Sequence, residues 1–141
     1  MRILICAACL SCGIAAMADA AEIDYLKEVK PLLAAKCVAC HGGLRQKGNL
    51  RLDTAKFALK GGDSGPAIVI GDSGKSLLIA ALLGENGRTK MPVEGEPLKP
   101  EQIDILRRWI DAGADAPADE PVADPRDHWA FHKPVHPPVP L

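Results

Sequence analysis

The chain has 141 residues, with 17 basic against 18 acidic side chains and a formal net charge of −1. That length fits one domain plus extensions, and the even charge, with no basic block, gives no footing for a nucleic-acid partner. Aromatic side chains make up only 4% while glycine (13) and proline (12) are plentiful, so a core is hard to build from protein alone and an apolar cofactor would fill the gap.

Residues 1–20 read as a signal peptide. Arg2 supplies the positive start, residues 3–17 are apolar apart from Ser11 and Gly13, and Ala18-Asp19-Ala20 has the small-x-small form that precedes a cleavage site. The apolar run is shorter than the roughly 20 residues that span a bilayer, and Cys9-Leu10-Ser11 before Cys12 is a poor match to a lipobox. An exported protein of the periplasm or cell envelope is expected, with no stable membrane insertion after cleavage. Cutting after Ala20 removes Cys6, Cys9 and Cys12 together with Met1 and Met17. The mature chain then keeps Cys37, Cys40 and a single methionine, Met91.

Ile23, Leu26, Val29 and Leu33 recur at helical spacing over residues 22–36, with a kink expected at Pro31. The helix leads directly into Cys37-Val38-Ala39-Cys40-His41. Residues 42–50 read as a loop. Asp53 is the expected cap of a short helix over 54–60 that Gly61 stops. Residues 61–71 are glycine-rich, and their apolar run 67–70 is too short to separate a strand from a buried loop. Ser73 is the expected cap of a helix running to Leu83 and ended by Gly84. After a loop over 85–99, Pro100 opens the last helix, whose apolar face is Ile103, Leu106, Trp109 and Ile110, with Gly113 beyond its end. Lys99 caps it poorly, partly offset by Glu101 and Gln102. From Ala114 onward the composition is that of a linker. The domain is placed at 21–116 and the linker, or lead-in to a further domain, at 117–141. There is no internal repeat and no strand alternation, so the fold class is all-α, about four helices with long loops.

The spacing of Cys37, Cys40 and His41 points to covalent haem. Two thiols separated by two residues span the two vinyl groups of one macrocycle, and the adjacent histidine is held beneath the iron. A redox disulfide would belong near a βαβ pattern, which is absent. A structural zinc would need a second ligand pair. A simple disulfide would contribute little across so short a loop. Met91, in a proline-flanked loop between two helices, is the candidate sixth ligand, set against the usual role of methionine as core filler. His128, His132 and His136 are rivals, but Pro134 and Pro137 break the helix that would align them. Arg88 and Lys90 are weak candidates for the haem propionates. Trp109 could pack on the haem, though on an amphipathic helix it is first a core residue.

An N-terminal helix ending in CVACH, the segment GGDSGPAIVIGDSGKSLL, the KMP turn and LKPEQIDILRRWIDAGA together resemble class I cytochrome c, and more closely the planctomycete-type cytochrome c domain. The resemblance covers residues 25–116. It implies one covalent haem c, His41 and Met91 as axial ligands, and the first helix packed on the last. Ile70 and Val93 depart from it, each standing where such sequences often carry proline. The ending DHWAFHKPVHPPVP resembles the lead-in to a downstream region of multidomain proteins. The redox partner is therefore either a separate protein or a domain in cis. The expected function is electron transfer rather than catalysis. The alternatives are a haem enzyme or sensor with an exchangeable sixth ligand, and a non-haem interaction module built on a disulfide.

Overall fold

In a computed structural model, which describes residues 22–122, 124, 126 and 129–133, the first helical stretch divides in two. A π turn, Tyr25–Val29, runs into α1, Lys30–Lys36. Pro31 supplies the reason. It has no N–H to donate, and its ring crowds the carbonyl four residues back. The chain therefore widens by one residue before it, and the Lys30 N–H donates to the Tyr25 carbonyl, a five-residue step. Asp24 caps the turn by accepting from the Lys27 N–H at 3.1 Å, and Glu28 returns to accept from the Asp24 N–H at 2.9 Å. The kink expected at Pro31 takes this form.

A 3₁₀ turn, Lys47–Asn49, precedes α2, Ala55–Lys60. Its cap is Thr54 rather than the expected Asp53, with the Thr54 hydroxyl accepting from the Phe57 N–H at 3.3 Å. Asp53 is held by the Arg51 guanidinium at 3.0 and 2.5 Å, and that guanidinium lies 4.0 Å from the centre of the Phe57 ring.

The helix expected from Ser73 to Leu83 is also divided, into a 3₁₀ turn, Ser73–Lys75, and α3, Leu77–Leu83. Ser73 is drawn away from capping by Asp111, whose carboxylate accepts from the Ser73 N–H at 2.7 Å and hydroxyl at 2.9 Å. Asp72 caps the turn in its place. The Ser76 hydroxyl donates to the Asp72 carbonyl and accepts from the Val69 N–H, both at 2.9 Å. The two serines thus pin the 67–76 loop. The run 67–70 settles as a half-buried loop: Ala67 and Ile68 are buried, Val69 and Ile70 exposed.

Helix α4, Pro100–Asp111, starts where the proline places it. The Gln102 side chain accepts from the Lys99 N–H at 3.0 Å, compensating for a lysine at the cap. At the other end the Gly113 N–H reaches the Ile110 carbonyl and the Ala114 N–H reaches the Trp109 carbonyl. These crossed bonds form a Schellman end, with Gly113 at φ 116. The described residues close with a 3₁₀ turn, Trp129–Phe131. Four α-helices and no strand among the described residues make the all-α class expected from the sequence.

The core joins the first helical stretch to the last. Val29, Leu33, Leu106 and Ile110 are almost fully buried, each contributing about 1.5–3 kcal/mol through the apolar area removed from water. Tyr25 packs on Trp109 with ring centroids 5.4 Å apart. The Trp109 indole N–H donates to the Asp115 carbonyl at 2.8 Å.

The chain stays attached beyond Ala116. Glu120 has a side chain only 4% exposed. One of its carboxylate oxygens accepts from the Tyr25 hydroxyl at 2.8 Å and from the Lys30 ammonium at 2.6 Å, and the other from the Ala55 N–H at 2.9 Å. A segment with the composition of a linker therefore straps the start of the fold to α2. Among the described residues no helix is long and apolar enough to cross a membrane, and the expected signal peptide lies outside them.

Candidate haem site

Helix α1 delivers the cysteine pair. The Cys37 N–H donates to the Leu33 carbonyl at 2.8 Å, and the Cys40 and His41 N–H groups both converge on the Cys37 carbonyl, at 3.1 and 2.9 Å. The five-residue motif is thereby curled into a tight turn. The chain beyond then holds it from outside, with the Lys47 N–H on the Cys40 carbonyl at 3.0 Å and the Leu52 N–H on the His41 carbonyl at 2.7 Å. Cys37 and Cys40 are free, half-buried thiols.

The motif opens on a cavity of about 400 Å³, a size suited to a cofactor. Cys37, Cys40, His41 and Met91 all line it, so one enclosure gathers residues that span half the described chain. Leu50 and Leu52 from the loop after the motif, and Leu78 and Leu82 from α3, make much of the wall apolar. The Met91 N–H donates to the Ala81 carbonyl at 2.9 Å, tying its loop to α3. Although that loop is polar, the Met91 side chain is partly buried and packs against the core cluster. Its peptide bond to Pro92 is cis. Another wall depends on a close backbone approach. The Asp63 N–H donates to the Gly48 carbonyl at 2.9 Å, and a Cβ on Gly62 would stand 2.4 Å from that same carbonyl oxygen.

Two features of the site's chemistry bear on what fits there. The Nδ1 atom of His41 is buried without a hydrogen-bond partner, the only such side-chain nitrogen or oxygen among the described residues. An unsatisfied buried polar atom costs about 1–3 kcal/mol. Burial also pushes the Cys37 thiol up to about 11, with the neighbouring Cys40 adding to the effect. An imidazole with an unpartnered nitrogen, two thiols from one tight turn and a thioether, around a largely apolar wall, suit an iron porphyrin. Among the described residues no three His, Cys, Asp or Glu side chains gather as they would around a lone metal ion.

Other expected contacts separate on inspection. Arg88 lines the cavity, but Lys90 does not and lies against Gly84 instead. Trp109 is absent from the wall and belongs to the core. Val93 is on the wall yet 62% exposed, and Ile70, the other departure from the resemblance, is exposed on the surface. His132 is not on the wall, while His128 and His136 lie outside the described residues. Lys36 and Lys47 do line it. Nothing local in the sequence separates Lys47 from an ordinary solvated lysine, and Lys36 could have been suspected only from its position beside Cys37.

A family model described as planctomycete cytochrome C matches residues 37–95. No curated protein and no solved structure matches the chain. The matched stretch opens on the first cysteine of the motif, takes in α2 and α3 with the loops that wall the cavity, and ends four residues after Met91. Residues 37–95 are therefore similar to a planctomycete-type cytochrome c domain, a likeness that suggests haem binding and electron transfer and agrees with the cavity and its side chains.

Proposed function

We propose that this chain is a one-electron carrier holding a single haem c. In this reading Cys37 and Cys40 would hold the haem through thioether links, and His41 and Met91 would ligate its iron. The observation that carries it is the convergence of these four side chains on one largely apolar cavity, with an imidazole nitrogen buried and unpartnered beside it. Bound haem supplies a ferric/ferrous couple. The chain's part is to tether and orient it through the curled motif and to present sulfur from the Met91 loop. The leucine wall would keep water from the haem, which with the ligating side chains would govern its potential. With His41 and Met91 both holding the iron, no position would be left for a substrate, and the chain would act as a carrier rather than an enzyme. It works in the periplasm or cell envelope with a redox partner protein or a domain in cis.

Denaturing gels stained for haem test the attachment. Wild-type protein is expected to keep its colour and the Cys37→Ala, Cys40→Ala double variant to lose it. A colourless, folded wild type made beside a working control cytochrome would refute covalent attachment. Met91→Ala is expected to keep the covalent haem, lose the six-coordinate ferrous spectrum and drop in potential by on the order of 0.1 V. An unchanged spectrum would remove Met91 as a ligand.

A further inference from the structure

The cavity wall carries charge of mainly one sign. Lys36, Lys47 and Arg88 are its cations and Glu94 is its one acid, with Cys37, Cys40 and His41 the other titratable groups on the wall. The Lys36 ammonium is already engaged, donating to the Glu96 carbonyl at 3.3 Å. Lys47 and Arg88 differ from several other cations of the chain. Lys30 is paired with Glu120, Arg51 with Asp53, Lys75 with Asp72 and Arg108 with Asp104, whereas among the described residues neither Lys47 nor Arg88 makes an ion pair, Glu94 included. Both are placed by backbone bonds close to the haem-binding residues. The Lys47 N–H is fixed on the Cys40 carbonyl at 3.0 Å. The Arg88 N–H is fixed on the Glu85 carbonyl at 3.0 Å, in the loop that carries Met91.

An apolar enclosure with two unpaired cations on its wall is complementary to an apolar disc bearing carboxylates on one edge. Resting on the haem reading above, we propose that Lys47 and Arg88 are the propionate-binding residues of this site, meeting the two haem carboxylates from separate loops. Arg88 offers the planar fork that suits a carboxylate, and Lys47 a point charge. A cation close to a carboxylate stabilises its ionised form. These residues therefore hold the propionates ionised to lower pH, and their removal shifts the pH at which the haem potential responds to propionate protonation.

The test is the midpoint potential of the covalently loaded protein against pH, for wild type, Lys47→Gln, Arg88→Gln and, as a control, Lys90→Gln. The control removes a cation from the same loop that is not on the wall. The inflection is expected to move up by about 1 pH unit in each of the first two variants and to stay in place in Lys90→Gln, with Arg88→Lys restoring most of the wild-type profile. Profiles that superimpose on wild type, or an equal shift in Lys90→Gln, would overturn the assignment while leaving the haem site intact. Absence of covalent haem from the wild-type protein would overturn the site itself, and this assignment with it.

Discussion

Tyr25 joins two parts of the fold through one side chain. Its ring packs on Trp109 and its hydroxyl donates to Glu120. Burial raises the phenol's pKa above its ordinary value of 10.0, and the bond to Glu120 raises it further. The sign of the linkage follows. The unfolded chain releases the phenolic proton near pH 10, whereas the folded chain retains it. Stability from this group is therefore complete below about pH 10 and is lost as pH rises from there toward the folded value. Tyr25→Phe is expected to flatten that loss, seen as a smaller fall in denaturant midpoint between about pH 8 and about pH 11 than in wild type. What could be read at this scale was whatever is local. The spacing of Cys37, Cys40 and His41 carries its meaning within five residues. The partner of Tyr25 lies 95 residues away, and Glu120 on its own is an acid in a stretch that reads as a linker.

The elements show the same division between local and distant causes. Helix α4 was legible because Pro100 and Gly113 punctuate it and Gln102 can reach back to its start. The start of α3 was not, because the hydroxyl that would have capped it is bound to Asp111, 38 residues on. The cap of α2 moved by one residue because Arg51 had already taken Asp53. Between elements, the contact of the 47–50 and 61–65 loops rests on a missing side chain. Gly62→Ala would force its new methyl against the Gly48 carbonyl oxygen and is expected to destabilise the protein by about 1–3 kcal/mol, with less haem retained. Gly48→Ala is the comparison, since Gly48 has φ 64 but open space around its Cβ position. Its cost is expected to be only that of the backbone conformation, about 1 kcal/mol. Denaturant unfolding of both variants measures the difference, and a larger effect at Gly48 would contradict the close-approach account.

At the scale of the whole molecule the fold is closed by the strap. Ending the chain after Ala116 would leave the Lys30 ammonium, the Tyr25 hydroxyl and the Ala55 N–H without their shared acceptor, whereas ending it after Val122 would keep that acceptor. The shorter chain is expected to lose about 2–4 kcal/mol more than the longer one. Glu120→Ala in the full chain is expected to lose nearly as much, placing the strap's contribution in one carboxylate. Equal stability of the two shortened chains would show that the strap is incidental. The contacts of that carboxylate with Tyr25 and Lys30 span 95 and 90 residues, among the most distant pairings in the described fold. Contacts so far apart in sequence are slow to form because the intervening chain has to be ordered first. A chain emerging from its N-terminus exposes Cys37, Cys40 and His41 long before Glu120 exists to close the fold. The order of synthesis itself thus presents both thiols and the imidazole before the strap can form.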